Sequence, residues 1–388
     1  MSAATGSRPF MRTVAWRAAV GGLLLAAAVL AFRGRVGREM PDFEVYRVAG
    51  ARVIAGESLY RAEDGHWLFK YLPAYALAVA PFALLPTTAA RALWFGVSVA
   101  LLGVLLRESW RLLPGRRRTA AFVVGLTVVA LGKFYARELM LGQSNALLAL
   151  LVVLAVGQWR LARPVAAGAL LAAATLVKPY AILFAPYLAV RREWRSALSL
   201  GAGIVVILLL PAARYGLAGN AALLAGWWET VTTSTAPNLV GQDNISIAAM
   251  YAKAIGAGGM AASLALVTAV VVAATAGAIL WRRPISTPGP EYLDAAVLLM
   301  LIPLLSPQGW DYVLLVSTPG VMLLLDRIGE TRWPWRVLTV ACLALLGLTT
   351  YDLLGRTAYR VFMMSPAPTM AALTLVVLLL RLRLRHEA

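Results

Sequence analysis

An acid, a lysine and several amides stand in this chain where its apolar surroundings give no reason for them. Asp42 follows Pro41 about ten residues after the first apolar run. Lys178 separates two apolar runs, in Ala173-Ala174-Thr175-Leu176-Val177-Lys178-Pro179-Tyr180, and Arg137, Glu138, Gln143 and Asn145 interrupt another. A carboxylate of this kind can take the proton of a hydroxyl as a general base. An ammonium at membrane depth costs roughly 2.5–3.5 kcal/mol on insertion scales, so it faces a cavity or a partner. An anionic phosphate is its natural counter-charge. Each residue also has a plainer reading. Asp42 before Phe43-Glu44-Val45 reads as a helix N-cap, and Gly142-Gln143-Ser144-Asn145 reads as a helix start. Lys178 could snorkel from a short helix end. Amides at a helix start also suit binding of an anion or of sugar hydroxyls.

The elements that position these residues must be membrane helices. The 388 residues are 61% hydrophobic and 14% charged, against roughly 25% charged in soluble domains. The fold expected is all-α: a polytopic transmembrane bundle forming one integral membrane domain over 1–388, with ten to thirteen membrane segments. A span needs about 20 apolar residues. Candidate runs include Trp16–Phe32, Tyr71–Leu85, Ala89–Leu106, Thr119–Tyr135, Met260–Trp281 and Thr369–Leu380. The pair meeting at Lys178 and Pro179 is too short for two full spans and reads as a broken helix, because proline cannot continue one. The first run, after Arg8, Arg12 and Arg17, reads as a retained span rather than a cleaved signal. Two polar stretches remain: 33–70, with amphipathic helices, and 212–245.

Composition also limits the chemistry. Cys342 is the lone cysteine and His66 and His386 the only histidines, so neither a disulfide nor a thiolate or histidine metal site is expected. No Walker A or dinucleotide fingerprint occurs, and no cofactor is implied. The net charge of +18 is not a nucleic-acid signal, because the basic residues form short clusters between apolar runs. Seven clusters, at 8–17, 107–118, 160–163, 191–195, 282–283, 327–336 and 381–385, hold 21 of the 36 basic residues but, with their flanking acids, only five of the 18 acids. They mark the cytoplasmic side. Placing them inside makes both termini cytoplasmic and leaves 33–70, Gln143, Lys178, 212–245 and 306–311 outside, as two extracytoplasmic loops and the residues near them. The parity of 71–118 stays open: two full spans there would put 107–118 outside.

A polar cavity with a carboxylate near the surface and a cation at lipid-phosphate depth suits transfer from a lipid-phosphate donor. The departing phosphate needs charge stabilisation more than protonation, so one general base suffices and displacement inverts the anomeric centre. The order Asp42, Tyr46, Gly56, Tyr60, Tyr71, Pro73, then Gly142-Gln143-Ser144-Asn145, then Lys178, then Ser306-Pro307 with Trp310 resembles glycosyltransferase family 87, over about residues 40–325. The resemblance implies a GT-C-type, polyprenyl-phosphate-mannose-dependent α-mannosyltransferase of the cell envelope. Asp42 then matches the catalytic base, and Lys178 with Arg137 the donor phosphate site. The sugar or acceptor pocket takes in Tyr46, Tyr60, Tyr71, Gln143, Asn145, Gln242, Asn244, Trp310, Asp311 and Tyr312. The family often has a histidine near Trp310, where this chain has Asp311 and Tyr312. Implied partners are membrane lipids, the polyprenyl-phosphate sugar and a lipid or glycan acceptor. A transporter or flippase for a lipid-linked or anionic substrate is the competing reading, since broken helices and buried charges suit it too.

Overall fold

The computed structural model describes residues 37–282 and 289–385, together with Leu30, Arg33 and Gly34. The first span at 16–32, apart from Leu30, the basic cluster at 8–17, Arg283 and His386 lie outside the described residues. Within them the protein is all-α, 81% helical and without strands.

The chain begins with α1 (Pro41–Ala55) and α2 (Pro73–Ala83). These pack closely: Tyr75 meets Tyr46 edge-on at 5.3 Å, and Phe82 meets Phe43 at 5.7 Å. Both ends of α2 therefore stay against the first half of α1, and the run Tyr71–Leu85, expected to be a span, does not cross the bundle. The reason is visible in its length, since 11 residues rise only about 17 Å. The long helix α3 (Thr87–Leu112) follows, with Trp94 held at Gly142 near its start and Arg117 and Arg118, just past its end, held at Asp326.

Passages between the two ends then alternate through α4 (Ala120–Leu141), α5 (Asn145–Arg160) and α6 (Pro164–Val177). A 3₁₀ segment, Pro179–Leu183, continues into α7 (Phe184–Arg191), and α8 (Trp194–Leu209) returns. The stretch expected as a polar loop at 212–245 is mostly helical, α9 (Ala212–Leu239), which is kinked at Gly216 (φ 70°, ψ 172°) and turned 89° from α8. It lies over the end that carries Asp42: Trp227 Nε1 donates to the Lys70 carbonyl at 3.2 Å and Tyr215 Oη to that of Glu57 at 2.9 Å. After α10 (Ile247–Ile255) come α11 (Gly259–Trp281), α12 (Pro290–Leu305), a 3₁₀ segment Asp311–Ser317 running into α13 (Thr318–Asp326), and α14 (Trp333–Gly347). A second bend, of 93°, leads into α15 (Tyr351–Met364), and α16 (Ala367–Arg385) makes the last passage. Among the described residues four helices, α3, α4, α11 and α16, are long and apolar enough to cross a membrane, or up to six spans if each bent pair is one. The other passages use shorter helices, so apolar runs outnumber the helices that could cross unaided.

The basic clusters within the described residues gather at one end. Backbone N–H groups of Arg117 and Arg118 donate to the Asp326 carboxylate, and Arg327 donates to the Pro114 carbonyl at 2.8 Å. Arg383, fully buried, donates to Asp294 Oδ1 at 2.9 Å and to the Arg282 carbonyl at 3.0 Å, while Tyr187 donates to Asp294 Oδ2 at 3.0 Å. This ties α16, α12 and α7 together. Removing one partner of such a pair strands a buried charge, at about 3–5 kcal/mol. Arg383→Met is thus expected to lower the melting temperature in detergent by several degrees. Adding Asp294→Asn to it should recover part of the loss, and equal melting of wild type and single variant would show that the pair does not hold the helices together.

Candidate active site

Asp42 is not an N-cap. Met40 occupies that position and Pro41 starts α1, so the Asp42 side chain is free of its own helix. Its Oδ2 accepts instead from Gln143 Nε2 at 2.6 Å. Gln143 arrives there because α4 ends in a left-handed turn at Gly142, with φ of 72°. Glycine is required twice over at 142: a Cβ would stand 2.6 Å from Phe43 Cβ and would be strained by the positive φ. Trp94 Nε1 also donates to the Gly142 carbonyl at 2.9 Å. A turn between two helices is thereby pressed against the start of α1.

From Gln143 a hydrogen-bonded chain runs inward. Lys178 Nζ donates to Gln143 Oε1 at 2.9 Å and to Asn145 Oδ1 at 2.7 Å. Asn145 Nδ2 donates to Glu138 Oε2 at 2.7 Å, and Glu138 Oε1 accepts from the Ala146 N–H at 2.8 Å. Glu138, fully buried, therefore caps α5 and fixes the Asn145 amide so that its oxygen faces Lys178. Lys178 sits in extended backbone (φ −148°, ψ 129°) at the end of α6, the geometry that the following proline imposes. Its ammonium has two amide acceptors and lies 5.8 Å from the Tyr71 ring centroid, and among the described residues no salt bridge pairs it with a carboxylate.

A second network stands beside the first. The loops at 241–246 and 306–312 pair through Ile245 N–H to the Gly309 carbonyl and Asp311 N–H to the Asp243 carbonyl, both at 2.8 Å. A Cβ at 309 would fall 1.8 Å from the Pro303 carbonyl oxygen, so only glycine allows this approach. The pairing brings Asp243 and Asp311 to Arg137, whose guanidinium donates to them at 2.7 and 2.6 Å. Lys133 lies 3.4 Å from Asp311.

These groups surround a cavity of about 390 Å³. Of the residues singled out in the sequence, Asp42, Lys178, Arg137, Tyr46, Tyr71, Gln143, Trp310 and Tyr312 line it. The others do not. Tyr60 donates to the Tyr71 carbonyl at 2.7 Å and so holds the wall from behind. Asn145 sits beneath Lys178, and Asp311 is buried behind Arg137. Asn244, buried, is spent on the Asn238 and Pro307 carbonyls, at 3.1 and 2.8 Å. Gln242 contributes its backbone carbonyl to Lys253. Lys70, Gln308 and His66 also line the cavity and were not among the expected site residues. A lysine in a charge-rich loop gives no signal in sequence that it will turn inward. Among the described residues no three His, Cys, Asp or Glu side chains are grouped to hold a metal ion.

Burial pushes the Asp42 carboxyl above the usual aspartate range, against the Gln143 hydrogen bond and the charges of Lys178, Lys70 and Arg137, which act the other way. Burial likewise lowers the Lys70 ammonium, with Asp42 opposing. Among the described residues Gln143 is the one side chain hydrogen-bonded to both Asp42 and Lys178. Replacing it by leucine leaves the pair without their shared partner, at about 1–3 kcal/mol per unmet buried polar group. Gln143→Leu is therefore expected to melt several degrees below wild type in detergent; an unchanged melt would mean that the amide carries no load between them.

The model of glycosyltransferase family 87 matches residues 69–307, more than half of the chain. Lys70, Arg137, Gln143 and Lys178 fall inside the match, whereas Asp42 and the residues from Gln308 onward are joined to it by the geometry alone. No curated protein matches the chain. No solved structure matches it either. The match and the apolar helices together place the chain in glycosyltransferase family 87, as a membrane glycosyltransferase.

Proposed function

We propose that the cavity transfers a hexose, mannose, from a polyprenyl-phosphate donor to a hydroxyl of a lipid or glycan acceptor, with inversion and with Asp42 as general base. The observation that carries this is the unit Asp42–Gln143–Lys178: a carboxylate and an ammonium held on either side of one amide in a single cavity. The acceptor oxygen attacks the anomeric carbon as the bond from that carbon to the phosphate oxygen breaks. The hydroxyl proton passes to the Asp42 carboxylate, and the polyprenyl phosphate leaves as an anion beside Lys178, whose charge stabilises it. The tyrosines Tyr46, Tyr71 and Tyr312, with Trp310, offer ring faces and hydroxyls to a sugar. Arg137 serves chiefly to fix the loops, since both of its terminal nitrogens already donate to carboxylates.

The cavity opens on the extracytoplasmic side, with both termini cytoplasmic. What supports this is that six basic clusters meet at the opposite end of the bundle, the side that short cytoplasmic loops mark with Lys and Arg. Residues 33–70 and 212–245 then form the extracytoplasmic cover of the site. The donor and acceptor are the partners of the reaction and reach it from the outer leaflet.

Asp42→Asn removes the base with almost no change of volume and is expected to lower transfer from polyprenyl-phosphate-mannose by about 10²–10⁴-fold without changing the melting temperature. Transfer at the wild-type rate by the purified variant would exclude Asp42 as the base. The carboxylate form is the active one, so activity is lost as pH falls through the raised pKa of Asp42. The acid limb of kcat/KM is expected above the usual aspartate range, and a limb at or below it would contradict the assignment. Lys178→Met should raise the apparent KM for donor by about tenfold or more, on the scale of a lost charged hydrogen bond, with the acceptor KM nearly unchanged.

A further inference from the structure

The three cations on the cavity wall are partnered in different ways. Arg137 is bound to two carboxylates. Lys178 donates to two neutral amide oxygens, and Lys70 to one, Gln308 Oε1 at 3.1 Å. Neither lysine forms a salt bridge among the described residues. An ammonium has three N–H donors, so one on Lys178 and two on Lys70 remain for a ligand. The Lys70 arm is built rather than incidental. Its carbonyl is held by Trp227 of α9, and Gln308 is itself fixed by Nε2 donating to Ser234 and Thr235 at 3.3 and 3.1 Å. Lys70 thus reaches the cavity from the first loop while Lys178 reaches it from the break after α6.

We propose that Lys70 is the second phosphate-contacting group of the site, and that the two lysines together match the charge of the departing phosphate rather than that of the bound donor. The inference rests on the reading of the donor as a polyprenyl-phosphate sugar. A sugar phosphodiester carries one negative charge. When the bond from the anomeric carbon to oxygen breaks, that electron pair stays with the phosphate, which becomes a monoester approaching two charges at neutral pH. One ammonium balances the donor and two balance the leaving group. The second cation therefore acts where charge develops, in the transition state and product, and not in the ground state. The amide partners serve this purpose: a carboxylate in their place would already neutralise the lysine, whereas a glutamine oxygen holds the ammonium in position and leaves its charge for the phosphate.

The test uses the purified full chain in detergent with polyprenyl-phosphate-mannose, and a short isoprenyl monophosphate, citronellyl phosphate, as probe of the leaving group. Lys70→Gln is expected to lower kcat about tenfold and to weaken inhibition by citronellyl phosphate about tenfold, the scale of one charged hydrogen bond. The donor KM should move less than about threefold, and Lys70→Arg should restore most of both effects. An unchanged melting temperature establishes that the variant is folded. Inhibition and kcat left as in wild type by Lys70→Gln overturn the role of Lys70 while leaving the donor reading intact. A higher donor KM at unchanged kcat also overturns it, because Lys70 would then serve the ground state. A wild-type protein that neither transfers from the donor nor is inhibited by citronellyl phosphate fails the donor reading itself, and the inference falls with it.

Discussion

An ammonium withdrawn from water has to be held by something, and at Lys178 the holders are amides rather than acids. A buried carboxylate partner would have been the stronger local solution, but it would have cancelled the charge. Two neutral oxygens satisfy part of the hydrogen-bonding demand and leave the field of the cation in the cavity. Much of the architecture around the site follows from that choice. The Gln143 amide must be turned so that its oxygen meets Lys178 and its nitrogen meets Asp42, which fixes the turn at Gly142 against α1. The Asn145 amide must be turned likewise, which places Glu138 behind it, and Glu138 in turn replaces a side-chain cap on α5. A broken helix at Lys178-Pro179 brings the ammonium to the same level.

The surrounding helices are divided by charge. Acids and bases at the far end pair with one another or with backbone N–H and carbonyl groups, as with Asp326, Arg327 and Arg383, and make the ends of α7, α12, α13 and α16 a fixed base. At the cavity end the helices bend instead of pairing off, and α9 and α15 turn roughly at right angles to the spans before them. A helix laid flat there can present backbone-anchoring groups, such as Trp227 and Ser234, to loops that would otherwise have to be held by their own short sequences. The paired loops at 241–246 and 306–312 gain the same support from Arg137, whose two carboxylates come from different loops. One guanidinium thus closes the wall of the cavity opposite in sequence to the residues of the first loop that complete it.

Much of the design was legible from composition and spacing. An all-α membrane bundle follows from apolar runs that have no soluble alternative, and the segregation of the basic clusters follows from the cost of moving them. Lys178 stood out because an ammonium between apolar runs is costly unless it finds a partner or reaches the interface, and the family match over residues 69–307 contains it. The tertiary structure decided what one-dimensional spacing cannot carry. Whether Tyr71–Leu85 crosses depends on how much of it becomes helix and on what that helix packs against, because an apolar run of this length suits either a short helix beside α1 or part of a span. Whether an acid caps its own helix or turns to another element depends on which partner is nearest in space, and the partner of Asp42 is 101 positions away. The split between Lys70 and Arg137, one left with an amide and the other bound by two acids, has the same origin: charge type is written in the sequence, but compensation belongs to the neighbours that folding supplies.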